Sequence, residues 1–271
     1  MKIGKKNYKI GKRTYIVGIL NVTPDSFYDG GKHDCTESAV KHALKLIGDG
    51  ADIIEVGGES TRPGHEKVDQ KTELSRVLPV IRELAKLTDI PIAIDTSKSV
   101  VADEALKNGA SMVNDISCFT LDTELPMVCA KHEAVCCVMH NRNNKQYQNL
   151  LLDVMMDLIR GVNNLEREGV PTNRIIIDPG IGFAKATYDN LVILRNISYF
   201  TSYEYPVMIG ASRKSFMGKI LGLSAHERLE TTIATTVLAI SQSVDFIRVH
   251  DVLENKRAAM MADELVRNRH K

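Results

Sequence analysis

No stretch of this chain approaches the ~18 uninterrupted apolar residues of a membrane-spanning helix, and no apolar run follows the charges of its first residues as a secretory signal requires. The five cysteines lack CxxC spacing. That excludes a disulfide framework and a zinc site of the usual kind, and the expectation is reduced thiols in a cytoplasmic protein. Excess charge of one sign is also missing: 35 basic residues stand against 34 acidic ones, a net +1, which argues against a dedicated nucleic-acid binder. The exception is the start, where Lys2, Lys5, Lys6, Lys9, Lys12 and Arg13 have no acid among them. A nucleic-acid arm is one reading of it; a solvated tail or a short first hairpin over residues 1–14 is preferred. There is no GxxxxGK(S/T) nucleotide loop and no GxSxG elbow, "GIGFAK" lacks the dinucleotide fingerprint, and no cysteine sits in a nucleophilic dyad.

What is present is alternation. Apolar runs of strand length occupy residues 15–20, 52–56, 91–94, 111–113, 134–139, 174–177, 205–209 and 245–249. They are continuous rather than alternating, as for parallel strands covered on both faces. Amphipathic segments follow at 39–48, 71–87, 99–108, 123–132, 150–168, 188–197, 225–241 and 252–266. Gly50, Gly109 and Gly169 stand where helices end and the next strand is near. Ser224 and Glu227 have capping-box spacing ahead of the seventh helix. With no linker or break in composition, residues 15–271 read as one α/β domain, either a (β/α)8 TIM barrel or an open doubly wound sheet.

The polar residues favour the barrel. Asn21, Thr61 with Arg62, Asp95, Asn114 with Asp115, His140 after Met139, Asp178, Ser212 with Arg213 and Lys214, and Arg248 with His250 all lie at or past the C-terminal ends of successive strands. Taken singly, Asp95 reads as a helix N-cap, "DPG" after Ile177 as a turn, and His250 as structural. Eight such contributions converge only if the strand ends form a ring, and barrel active sites lie on that rim. The cations Arg62, Lys214, Arg248 and His250, with the amide of Asn21, suit a diphosphate. Its magnesium would need few protein oxygens. Asp95, Asn114 and Asp178 suit a flat heterocycle with adjacent N–H donors, and such a site rejects analogues that lack them.

The stretches "GILNVTPDSF", "EVGGESTRPG", "AIDTSK", "NDIS", "VMH", "DPGIGFAK", "ASRKSF" and "RVHDV" closely resemble the dihydropteroate synthase family, in the family's order, from about residue 16 to 252. The resemblance implies a TIM barrel, usually a homodimer, that condenses p-aminobenzoate with 6-hydroxymethyl-7,8-dihydropterin diphosphate in an SN1-like substitution requiring Mg2+. It implies pterin contacts from Asp95, Asn114, Asp178, Lys214, Met139 and Phe183. Diphosphate contacts would come from Asn21, Thr61, Arg62, Arg248 and His250, with Asn21 beside the metal. Phe27, Thr61, Pro63, Phe183, Lys214 and Ser212 or Ser215 would border p-aminobenzoate, which sulfonamides mimic. Asp95, Lys214, Asn21 and Arg62 would carry the catalysis. The loop after Asn21 and the one bearing Thr61, Arg62 and Pro63 would close over the pterin, with Pro24 limiting the first and Gly30-Gly31 hinging it.

Three departures stand out: Tyr28 where the family mostly has serine, Cys118 where glycine is common, and "MHNRNN" in place of the usual run after the histidine. The rival readings are a pterin-dependent methyltransferase, which would not need the cations, and a non-catalytic pterin- or phosphate-binding paralogue. A dimer surface is sought in the seventh and eighth helices, where Ile233, Val237, Ile240, Met260 and Met261 form an apolar stripe; core packing explains that stripe equally well.

Overall fold

The structure, a computed structural model, describes residues 1–23, 32–59 and 68–267. Phe27, Thr61, Arg62 and Pro63, together with Pro24, Tyr28, Gly30 and Gly31, lie outside the described residues. A hairpin of β1 (Lys2–Ile3) and β2 (Lys6–Asn7) precedes eight parallel strands: β3 (Tyr15–Asn21), β4 (Ile53–Gly57), β5 (Ile92–Asp95), β6 (Ala110–Asp115), β7 (Val135–Met139), β8 (Ile175–Asp178), β9 (Met208–Ile209) and β10 (Phe246–Val249). In space they run β8-β7-β6-β5-β4-β3-β10-β9. Ile177 bridges Val207 in parallel, and its N–H donates to the Pro206 carbonyl at 3.0 Å. The sheet's ends therefore meet, and the arrangement is a TIM barrel in a single domain.

Helices wrap it: α1 (Lys32–Gly48), α2 (Gln70–Leu87), α3 (Ser99–Lys107), α4 (Leu125–Lys131), α5 (Leu150–Arg167), α6 (Thr187–Arg195), α7 (Ile197–Thr201), α8 (Ser215–Leu221), α9 (Leu229–Ser241) and α10 (Val252–Val266). The expected eighth helix falls on α10, and Gly50, Gly109 and Gly169 take positive φ at +105°, +116° and +95° as helix-ending residues do. The seventh differs. Ser224 and Glu227 do form a capping box, but it caps a single 3-10 turn, Ala225–Glu227, before α9 begins. Two short helices, α7 and α8, had no sequence signal, because segments this short hold too few turns to show a period.

Strand parity explains the unbroken apolar runs. In β4, Ile54 and Val56 point outward into the helix layer while Ile53 points into the barrel with Glu55; in β10, Ile247 and Val249 face out, Phe246 and Arg248 in. The barrel's lower interior is apolar, filled by Tyr15, Val17, Met112, Ile176, Met208 and Phe246 among others. Its upper interior is charged. The apolar stripe on the last helices splits: Ile240 is fully buried in the core, whereas Val237, Met260 and Met261 are exposed.

The basic start is spent on closing the barrel's lower end. Ile3 and Tyr8 are buried against the interior layer, and Tyr8 meets Tyr15 edge-on at 4.8 Å. The Tyr8 hydroxyl donates to the Asp52 carbonyl at 2.7 Å. Arg13 forks Asp52 at 3.0 and 2.6 Å and lies 4.1 Å over the Tyr15 ring, while Lys5 pairs with Asp89. Among the described residues no helix is long and apolar enough to cross a membrane. Replacing this buried ring, Tyr8→Ala, is expected to cost about 3 kcal/mol of unfolding free energy in urea titration and to leave the far, charged end of the barrel working. A cost below about 1 kcal/mol would show that the hairpin is not part of the core.

Candidate active site

The charged layer begins where inward parity continues past the apolar floor. Glu55, Asp178, Met139 and Arg248, from β4, β8, β7 and β10, are all buried. Arg248 reaches Glu55 Oε2 with Nη1 at 3.4 Å and Asp178 Oδ2 with Nη2 at 3.2 Å; Met139 Sδ lies 3.4 Å from the same Nη2. Gly210, just past β9, makes room for it, since a Cβ there would sit 2.8 Å from Arg248 Nε and Nη2. Burial opposes the guanidinium's charge, but Glu55 and Asp178 outweigh it and hold its pKa above the usual value. Burial raises the Glu55 carboxyl, and Arg248 draws it back only in part. Asp178 Oδ1 is fixed by the Gly180 N–H at 2.7 Å, with Gly180 at φ +69° packed so closely on His140 that a Cβ would meet its carbonyl oxygen at 1.9 Å.

Asp95 stands level with Gly57, two residues past Glu55, and Asn114 Nδ2 donates to its Oδ1 at 2.8 Å. The Oδ1 of Asn114 is buried with no partner among the described residues. A buried amide oxygen without a donor carries a cost of about 1–3 kcal/mol, which a ligand N–H placed there would remove. Asp95, the last residue of β5, is partly exposed. Burial first, and then Glu55, pushes its carboxyl up to about 7. Lys214, the residue before α8, places Nζ 4.1 Å over the Phe183 ring, and burial, then Arg248, pushes its ammonium down to about 8. Gly182, at φ +85°, leaves the space that the Lys214 side chain occupies. Asn21 Oδ1 and Asp95 Oδ2 each lie 3.7 Å from where a Gly57 Cβ would be. Ser212 Oγ contacts His250 Nδ1 at 2.9 Å, with the His250 side of this pair at the exposed rim. Ser212 is buried and Ser215 exposed, so only the first of these alternatives faces inward.

Asn21, Asp95, Asn114, Met139, Asp178, Ser212, Lys214 and His250 therefore gather at one mouth, whereas His140 turns to Asp157 and Lys185 and Arg213 to Asp251, away from it. Arg248 is also in an unexpected place: not on the rim with the cations but on the floor among the acids. Glu55 escaped notice altogether. Its signal was a lone acid inside Ile53–Gly57, a strand otherwise without charge, on the same parity as the apolar interior. Asp115 is buried as a scaffold, accepting from Ser97, Ser117 and the Phe119 amide.

Residues 17–250 match the sequence profile of the family described as pterin binding enzyme. The chain is 50% identical over 268 residues to a dihydropteroate synthase of Clostridium beijerinckii, covering 98% of this chain and 100% of the other. The chain belongs to the dihydropteroate synthase family. Among solved synthase structures, that of Clostridium difficile, determined in the presence of pteroic acid, superposes with a TM-score of 0.94 at 46% identity, covering 96% of this chain and 100% of that one. The Xanthomonas albilineans synthase with 4-aminobenzoic acid superposes at 0.90, with 35% identity and 94% of each chain covered.

Two of the chain's departures from the synthase pattern acquire a setting. Cys118, where glycine is common, stands at φ +60°, a backbone region glycine adopts at no cost. "MHNRNN" supplies Arg142, whose Nε donates to Asp157 at 3.0 Å. Asp95 binds its proton more readily folded than unfolded, so this carboxyl lowers stability as pH rises from about 4 to about 7. In Asp95→Asn that part of the pH slope should vanish. Urea titrations from pH 5 to 8 check it, and parallel slopes for the two proteins would contradict the geometry.

Proposed function

We infer that this chain joins p-aminobenzoate to 6-hydroxymethyl-7,8-dihydropterin diphosphate, giving 7,8-dihydropteroate and diphosphate. The observation that carries this reading is the pairing of a buried carboxylate, Asp178, with the unpartnered Asn114 Oδ1. Together they are acceptors for the adjacent N–H donors of a pterin. Arg248 holds Asp178 so that its remaining lone pairs face the ligand, and Lys214 and Phe183 close the pocket from the side, with Met139 beneath.

The substitution breaks the pterin C–O bond and forms a C–N bond to the arylamine, whose proton goes to solvent. Asp95 lies where a positive pterin methylene would develop, and its carboxylate stabilises that charge. Asn21, Thr61, Arg62 and His250 hold the leaving diphosphate, with Ser212 orienting the His250 ring, while Arg248 stays on the floor with Glu55 and Asp178. Phe27, Thr61, Pro63, Phe183, Ser212 and Lys214 border the arylamine.

Among the described residues no three His, Cys, Asp or Glu side chains group as a metal site. A single rim amide, Asn21, nonetheless fits magnesium that arrives with the diphosphate and keeps most of its waters. When bound, the ion neutralises charge on the departing oxygens. Two copies of the chain associate through the exposed apolar residues Val237 of α9 and Met260 and Met261 of α10. The buried thiols of Cys118, Cys129, Cys136 and Cys137 suit a reducing cytoplasm.

The test is diphosphate release that depends on both substrates with Mg2+ present; its absence would leave a binding protein. Asn21→Ala and Arg62→Ala should lower kcat by about 10²-fold with pterin affinity kept. Asp178→Ala should abolish pterin-diphosphate binding by calorimetry, and unchanged affinity there would remove Asp178 from the site.

A further inference from the structure

Lys185 is a buried charge for which the reaction above has no use. It lies in the β8–α6 connection, two residues past Phe183, and is 4% exposed. Its Nζ reaches His140 Nδ1 at 2.9 Å and donates to the Phe183 carbonyl at 3.0 Å. With Nδ1 accepting, the His140 ring proton is on Nε2, 3.1 Å from Asp157 Oδ2. Arg142 fixes the same carboxylate with Nε and Nη2. The next carbonyl along the connection, that of Ala184, accepts from the Tyr147 hydroxyl at 2.7 Å, and Arg142 lies 4.7 Å over the Tyr147 ring.

Two successive carbonyls are thus held by side chains that lead back to one carboxylate. The bend they hold is a strained one: Ala184 is at φ +46°, a conformation that a residue with a Cβ keeps only when its surroundings impose it. On the other side of the bend, the Gly182 N–H donates to Asn190 Oδ1 at 2.6 Å. The Phe183 ring, in contact with Lys214, is what this bend presents to the mouth.

We propose that Lys185 and Tyr147 are positioning residues for Phe183: anchored through His140, Arg142 and Asp157, they hold the bend that aims its ring and so shape the p-aminobenzoate pocket. This rests on the functional reading above. Burial pushes the Lys185 ammonium down to about 7, a cost the fold tolerates because both hydrogen bonds are made. Methionine fills the same space and donates to neither carbonyl nor ring.

The experiment compares wild type, Lys185→Met and Tyr147→Phe for kcat, for KM of each substrate and for Tm, per active site counted by pterin-diphosphate titration. The expected result is a rise of about tenfold in KM for p-aminobenzoate in Lys185→Met, and a smaller rise in Tyr147→Phe. Affinity for pterin diphosphate should fall far less than that for p-aminobenzoate, because Asp178 and Asn114 are untouched. Unchanged KM with only a lowered Tm, or a loss confined to kcat, overturns the positioning role. If Lys185→Met does not fold, Tyr147→Phe decides alone, since it removes one oxygen from a partly exposed ring. An active wild type with unshifted variants refutes this inference and spares the functional reading; an inactive wild type overturns both.

Discussion

One guanidinium inside the barrel decides what the mouth can do. Arg248 is buried between Glu55 and Asp178, and without it two carboxylates would face each other in an apolar tube with Asp95 one layer above. Removing one partner from a buried ion pair costs about 3–5 kcal/mol, because the charge left behind can neither be solvated nor paired. The pairing also leaves the acids on the floor ready to accept from a ligand. Gly210 is part of the same device, since any side chain there would displace the arginine.

The barrel makes this arrangement possible by parity and closure. Inward positions alternate along each strand, so an apolar residue at one level places another inward side chain two residues on. Phe246 below Arg248 and Ile53 below Glu55 are the same construction on the two strands that flank β3. The hairpin with Ile3 and Tyr8 seals the lower end, leaving the upper end as the mouth. The β8–α6 connection, with positive φ at Gly180, Gly182 and Ala184, then folds over the edge of the floor.

Much of this was legible in the residues. Asp95, Asn114 and Asp178 announce themselves as polar groups ending apolar strands, and the ring follows from their recurring at one end. Glycines at positions 50, 109 and 169 marked helix ends because left-handed backbone selects for glycine. Depth was not legible. Arg248 at a strand end reads as a rim cation, and only its register against Phe246 puts it on the floor. Glu55 sat in a run that hydrophobicity alone assigns to a strand, so its charge passed as an interruption. Lys185 and His140 were illegible as a pair, because their contact joins loops 45 residues apart.

The central claim is that Arg248 is there for the two carboxylates, and a double-mutant cycle tests it most directly. Urea unfolding of Arg248→Met is compared in the wild-type background and in Glu55→Gln/Asp178→Asn. A loss of about 3–5 kcal/mol in the first background, falling to about 1 kcal/mol or less in the second, is the outcome this structure requires. An equal loss in both backgrounds would show that Arg248 stabilises the barrel by packing alone, and the charged floor would no longer explain the site.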